Sequence, residues 1–163
     1  MVCKSFLAGA LALVLAAAPA AAETSFKQLT PLLVDLPGFE GGKAQGMTIS
    51  VGDGGMTTAS RSYKREPASV DVTVMSGPMS VGPLASLATV LQVETSEGHM
   101  ISGEIDGFRV MKTYNNGDKS GALVIGLSKH AVMTFGYRSL SEDDAVELAR
   151  KLDWKAIAAA LAE

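Results

Sequence analysis

The chain has 163 residues and a formal net charge of −3 at pH 7, from 14 basic and 17 acidic residues. This mild acidity argues against a protein that binds nucleic acid or anionic membranes through charge alone. A single cysteine, Cys3, excludes a disulfide framework within the chain and a cysteine-rich zinc site.

The first 22 residues have the three parts of a secretory signal peptide. Lys4 gives a short basic region, Phe6 to Ala18 form an uncharged run, and Ala20-Ala21-Ala22 supply small residues for a signal peptidase. The run is shorter than the roughly 20 residues of a membrane-spanning helix. We expect cleavage after Ala22 and a periplasmic or secreted protein; the alternative is an uncleaved N-terminal anchor.

Removal of residues 1–22 leaves 141 residues, a length typical of one domain. Cys3 precedes the apolar run, so it is not the acylated cysteine of a lipoprotein, and it leaves with the signal. The remainder has no repeat, no linker and no second apolar run of membrane-spanning length. We therefore predict a single soluble domain over residues 23–163, with no transmembrane segment.

The first half predicts a short helix, strands and a second helix. Ser25–Leu36 has apolar residues at helical spacing, and because Pro31 falls inside it, the helix either begins near Thr30 or is interrupted there. The segments predicted as strands are Met47–Val51, Met56–Arg65 and Ser69–Met75, the first two joined by the hairpin signal Gly52-Asp53-Gly54-Gly55. Pro83 suits the first turn of a helix that continues to about Val93.

The second half predicts antiparallel strands and two closing helices. The segments predicted as strands are Met100–Ile105, Phe108–Tyr114, Ala122–Leu127 and Ala131–Tyr137, with turns at Asp106-Gly107 and Asn115–Asp118. Ala122–Leu127 is apolar on both faces, which suggests a central strand covered on both sides. Ser141 and Asp153 are candidate N-caps of the helices. The prediction is an α+β fold with a mainly antiparallel sheet of about six or seven strands and helices packed against it.

A family resemblance rests on the element order from Ser69 to Trp154 and on the segment Glu104-Ile105-Asp106-Gly107-Phe108-Arg109-Val110. This region resembles the Mog1/PsbP-like α/β domains and several uncharacterised exported bacterial families. The resemblance covers about half the chain. It implies a binding or assembly module more often than an enzyme, and it assigns no functional residue here.

Metal ligation has weak candidates. Thioether and imidazole groups suit Cu(I), and Met75, Met79, His99 and Met100 supply them, but Gly77-Pro78 separates the first two. A zinc site would need Glu97 or Glu104 beside the histidines. A core or loop role for these residues is the competing interpretation, and we expect no cofactor and no metal.

Catalytic patterns are absent from the sequence. There is no Gly-x-Ser-x-Gly elbow and no Ser-x-x-Lys set. Ser128-Lys129-His130 brings suggestive residue types together, but neighbours in a turn diverge, so an exposed turn is the competing interpretation. Gly52–Gly55 lacks the Lys-Ser/Thr and helix of a phosphate-binding loop.

Arg61, Tyr63 and Arg65 alternate along a predicted strand and would share one face of the sheet. Such a face binds an anionic ligand or is simply solvated. Together these observations predict an exported, non-enzymatic binding or assembly-accessory module whose ligand or protein partner is not identified. The alternatives are a small exported hydrolase with dispersed catalytic residues and a carrier of an apolar ligand held between sheet and helices.

Overall fold

The computed structural model describes residues 25–51 and 54–161. They form a nine-stranded antiparallel sheet and four α-helices, so the α+β prediction is confirmed. The predicted signal peptide lies outside the described residues. The strands are β1 Glu40–Gly41, β2 Gln45–Val51, β3 Gly54–Arg65, β4 Ala68–Ser76, β5 Gln92–Glu94, β6 Gly98–Ile105, β7 Phe108–Asn115, β8 Ser120–Ser128 and β9 Ala131–Arg138. The helices are α1 Phe26–Leu29, α2 Val81–Ala88, α3 Glu142–Ala149 and α4 Trp154–Ala160.

Two meanders build the sheet. The strand order is β1-β3-β4-β9-β8-β7-β6-β5, and β2 also pairs with β3 alongside β1. The long connection between β4 and β5 contains a 3₁₀ turn, Pro78–Ser80, and α2. The final strand of the second meander returns to pair with β4, which joins the two halves into one sheet.

One face of the sheet carries the core. Inward-pointing residues of β4, β8 and β9 stack in register, and all are almost completely buried: Val70, Val72, Val74, Leu123, Ile125, Met133, Phe135 and Tyr137. Helices α1, α3 and α4 contribute the other side of this core. Phe26 of α1 lies so close to Gly46 that a Cβ atom there would be 2.6 Å from the phenylalanine Cβ. We call this side the covered face.

The two N-caps predicted from the sequence are present. Ser141 and Asp153 cap α3 and α4, and Ser25, which was not predicted as a cap, caps α1; each accepts a hydrogen bond from a backbone N–H two or three residues later. Helix α1 ends at Leu29 and Pro31 falls in the 3₁₀ turn Thr30–Leu32 that follows, so the first helix is interrupted near Thr30 and does not begin there.

The Asp106-Gly107 hairpin has positive φ at both central residues, 53° and 85°, as its sequence predicts. Val51 pairs with Gly54, which is consistent with a hairpin there, although Gly52 and Asp53 lie outside the described residues.

Three predictions were wrong in detail. The sheet has nine strands instead of six or seven. Strands β1 and β5 were not predicted, because two and three residues are too few to show an alternating pattern. The second helix starts at Val81, before the predicted Pro83, and ends at Ala88 instead of about Val93, because β5 already begins at Gln92. Strand β8 is buried on one side only: Leu123, Ile125 and Leu127 are buried, while the residues between them are partly exposed.

No helix within residues 25–51 and 54–161 is both long and apolar enough to cross a membrane.

Candidate functional site

The second face of the sheet is mostly uncovered, and we call it the open face. It consists of the side chains that alternate with the core residues along each strand. Its central row crosses seven strands in register: Gln45, Ser60, Thr73, Thr134, Val124, Met111 and Ser102. None of these residues is charged, and none is fully buried.

Methionine is concentrated on this face. The strands place Met47, Met56, Met75, Met100 and Met111 on the open face, while Met133 lies in the core. Methionine is flexible and polarisable, so it fits irregular or changing partner surfaces well. The central row and its Met, Thr, Ser and Val neighbours offer apolar contact area without a charge that must be desolvated. Charged residues of the same face lie outside this row: Lys64, Asp71, Glu104, Arg109 and Arg138.

Helix α2 covers one end of the open face. Leu87 and Leu84 lie 3.1 and 3.6 Å from the position that a Cβ atom would take at Gly126. The segment Gly77–Val93 contains no charged residue. Several of its apolar side chains are exposed: 62 % of Met79, 58 % of Val81 and 95 % of Val90. Exposed apolar side chains that lie close together often mark an interaction surface.

A cleft runs beneath α2, with a volume of about 340 Å³. Leu84, Leu87 and Ala88 form one wall, and Phe108 and Leu127 contribute to the other side. The volume lies at the lower end of the range for small-molecule sites, and the mostly apolar lining is typical of such sites.

An ionic cluster lies at the other end of the sheet, on the covered face. Glu142, the first residue of α3, accepts hydrogen bonds from His99 Nε2 at 2.6 Å and from Lys112 Nζ at 2.5 Å. The three side chains retain 16 to 27 % of their exposure. They fasten the start of α3 to β6 and β7.

The electrostatics of Glu142 follow from these contacts. Partial burial raises the pKa of the carboxyl, but hydrogen bonds and charges from Lys112 and His99 outweigh it, and the pKa lies below its ordinary value. Two tyrosines complete the cluster: the Tyr114 ring lies 5.8 Å from His99 and 6.4 Å from the Tyr137 ring. Burial, followed by the nearby Glu142 charge, raises the pKa of Tyr137, whose hydroxyl donates to the Thr113 carbonyl.

This cluster was not predicted from the sequence, because Glu142 is 43 residues from His99 and 30 residues from Lys112. A signal was nevertheless present. His99 is in phase with Ile101, and Lys112 with Val110, so both polar residues occupy inward positions of their strands.

The predicted cationic face exists, but it faces the protein. Arg61, Tyr63 and Arg65 share the covered face, so a solvated strand face is the wrong interpretation for the first two. Arg61 donates to the carbonyls of Leu33 and Gly42 and pairs with Asp35, and the Tyr63 hydroxyl donates to the Val34 carbonyl at 2.7 Å. The Arg65 guanidinium lies 4.3 Å from the centre of the Phe39 ring. These contacts hold the segment after α1 against the sheet.

The candidate metal ligands are separated by the strand geometry. His99 points to the covered face and Met100 to the open face, since neighbours in a strand alternate. Met79 lies in the 3₁₀ turn, beyond the end of β4 that carries Met75. Within the described residues, no group of three or more His, Cys, Asp or Glu side chains is arranged to hold a metal ion. Lys112 beside His99 and Glu142 would also repel a cation.

The remaining candidates lie in turns or on strands. Ser128 ends β8, and Lys129 and His130 connect it to β9. All three are exposed, and the Ser128 hydroxyl accepts the His130 backbone N–H at 3.2 Å. Glu97 lies in the β5–β6 turn, and Glu104 faces Arg109 across β6 and β7. These positions do not bring a nucleophile and a base together.

A second cleft, not predicted from the sequence, has a volume of about 560 Å³ beside the Asp106-Gly107 turn. Arg150 spans it with two hydrogen bonds to Asp106, at 2.7 and 2.6 Å, which lower the pKa of the carboxyl. Both side chains are half exposed. The pair ties the end of α3 to the β6–β7 turn.

Comparisons of the chain with known protein families, curated proteins and solved structures found no match.

Proposed function

We propose that this chain is an exported, non-enzymatic binding module that recognises a protein partner through the open face of its sheet. The observation that carries the proposal is the open face itself. It is a broad, partly exposed surface with an uncharged central row and five methionines.

The composition of the open face supports a protein partner. On a sheet face exposed only to water, charged and polar side chains would be expected between the core residues of each strand. Strand β4 does this at Asp71, but Thr73 and Met75 follow in the same phase. The apolar residues at its α2 end extend the surface toward Met79 and Val81.

The ionic cluster supports a structural assignment for the titratable residues. His99 and Lys112 each donate a hydrogen bond to Glu142, and the Tyr137 hydroxyl donates to the Thr113 carbonyl. These bonds hold the start of α3 against β6 and β7. Export through the signal peptide and the Mog1/PsbP-like layout remain part of the proposal, supported by the sequence patterns that suggested them.

Site-specific photo-crosslinking in cells that export the protein tests the proposal. A photoreactive amino acid replaces Thr134, in the centre of the open face, and a matched control places it at Glu147, an exposed residue of α3 on the other side. We expect a discrete crosslinked product from position 134 and none from 147. Equal crosslinking from both positions, or none from 134, would contradict the proposal.

The cleft beneath α2 favours a second candidate, a carrier of an apolar ligand. Its lining by Leu84, Leu87 and Phe108 matches an acyl chain or another small apolar group. Native mass spectrometry of the exported protein detects such a cargo as added mass on the monomer. Leu84→Trp would fill the cleft and remove the added mass; a wild-type monomer without added mass would dispose of the carrier.

A further inference from the structure

The cleft beside the Asp106-Gly107 turn has an excess of basic side chains. It has a volume of about 560 Å³ and lies where the segment between α3 and α4 meets the β6–β7 hairpin. Three basic and two acidic side chains line it: Arg150, Lys151, Lys155, Asp106 and Asp153. The whole chain has the opposite balance, with 14 basic and 17 acidic residues. A concave site with an excess of one sign of charge attracts ligands of the other sign.

Both carboxylates of this cleft already have partners. Asp106 accepts two hydrogen bonds from the Arg150 guanidinium, and the Asp153 carboxylate accepts a backbone N–H as the cap of α4. The ion pairs among the described residues include neither Lys151 nor Lys155. Both lysines are exposed. The cleft therefore presents two ammonium groups that can bind the acid group of a ligand.

An apolar wall lies beside these charges. Phe108 lines the cleft and is partly exposed, and its ring makes a T-shaped contact with the ring of Trp154, with the centres 5.8 Å apart. Trp154 is almost completely buried, and its indole N–H donates to the Ala149 carbonyl at 2.7 Å, which fixes the ring. A ligand with an acid group and a small apolar group would therefore find a complementary surface for each part.

We infer that this cleft is a binding site for a small amphipathic anion, an aromatic or short apolar group that carries a carboxylate, sulfonate or phosphate. Lys151 and Lys155 bind the acid group, and the apolar group lies against Phe108. Lysine suits this role because its ammonium is a compact charge with three rotatable donors. The site does not include the central row of the open face, so the inference is independent of the proposed partner surface.

Asp106 limits the affinity of the site. Its carboxylate occupies the Arg150 guanidinium, whose planar fork would otherwise bind the acid group of a ligand in the same bidentate manner. The hydrogen bond from Arg150 and, to a smaller extent, the nearby charge of Lys155 lower the pKa of the Asp106 carboxyl. Asp106 therefore competes with the ligand for these basic groups, and removal of its charge should strengthen binding.

A nuclear magnetic resonance titration of backbone amide shifts with phenyl phosphate tests the site. We expect saturable shifts at Phe108, Lys151 and Trp154, with a dissociation constant on the order of 1 mM for a ligand of this size. Inorganic phosphate supplies the acid group alone and phenol the ring alone, and each should bind at least about fivefold more weakly. No saturable shift with phenyl phosphate, or equal affinities for phenyl phosphate and either fragment, would overturn the inference.

Charge variants identify the residues that bind the acid group. The double variant Lys151→Gln/Lys155→Gln should weaken phenyl phosphate binding about tenfold. Its matched control is Lys43→Gln/Lys64→Gln, which removes two exposed charges outside the cleft and should leave the binding unchanged. Asp106→Asn should tighten the binding about threefold, because it frees the Arg150 guanidinium. Circular dichroism verifies that each variant is folded.

A second control separates this site from the cleft beneath α2, which Phe108 also borders. Leu84→Trp fills the α2 cleft and should leave phenyl phosphate binding unchanged. Equal effects of the two double lysine variants, unchanged binding in Asp106→Asn, or loss of binding in Leu84→Trp would each overturn the inference.

Discussion

Strand β4 shows the two faces of the sheet side by side. Val70, Val72 and Val74 are completely buried, whereas Asp71 is exposed and Thr73 and Met75 remain partly exposed. Burial of apolar side chains on the covered face therefore stabilises the fold. The open face contributes less to stability, and its composition suits a contact that is made outside the chain. The alternation along one strand therefore separates residues that stabilise the fold from residues that we propose to contact a partner.

The largest expected effect comes from the covered face. Phe135→Ala removes a completely buried ring from the centre of the core, and we expect a loss of about 3–5 kcal/mol in the free energy of unfolding. Thr134→Ala, one residue away on the open face, should cost less than about 1 kcal/mol. Urea denaturation of both variants measures the difference. Similar losses in the two would break the comparison between the faces.

The ionic cluster gives an intermediate effect. Glu142→Gln leaves Lys112 partly buried without its carboxylate, which should cost about 1–2 kcal/mol of unfolding free energy at pH 7. Asp143→Asn is the matched control, because Asp143 is exposed in the same first turn of α3. The two variants are compared by their urea midpoints. A loss in the control as large as that in Glu142→Gln would contradict the docking role.

The same carboxyl predicts a pH dependence. Because the pKa of Glu142 is lower in the folded protein than its usual 4.5, the folded state favours the ionised form. Its contribution is fully present above pH 4.5 and is lost as pH falls through the lower, folded-state pKa. The stability gap between wild type and Glu142→Gln should therefore narrow below pH 4.5. A gap that stays constant between pH 7 and the acid limit would contradict this assignment.

The smallest effect is expected at Asp106 and Arg150. Both side chains are half exposed, so solvent and salt weaken their interaction. Asp106→Asn should lower the thermal midpoint by less than Glu142→Gln does, and the difference from wild type should shrink further at high ionic strength. A shift larger than that of Glu142→Gln would show that this pair, and not the cluster, fixes α3.

Local patterns predicted much of the fold. The Asp106-Gly107 turn, the caps at Ser141 and Asp153 and the strand predicted over Ser69–Met75 each depend on a few neighbouring residues, and all were found. Strands β1 and β5 were missed because two or three residues have no period. Their pairing is decided by the strands beside them.

The sites were harder to predict than the strands. Arg61 and Tyr63 were correctly placed on one face, but their partners at Leu33 and Val34 come from a segment 28 and 29 residues away. The ionic cluster likewise depends on β6, β7 and α3 meeting. The alternation in β4 indicates that its valine side is buried, but it does not show which elements pack there or how far across the sheet the other face stays uncovered.

One variant tests the division between the two faces most directly. Val124→Lys introduces a charge in the uncharged central row, beside the photoreactive residue at position 134 that faces it across β8 and β9. Crosslink yield and urea midpoint are measured on the same protein. We predict that the crosslink is lost while the free energy of unfolding stays within about 1 kcal/mol of wild type. An undiminished crosslink in the folded variant would contradict the assignment of the open face as the binding surface.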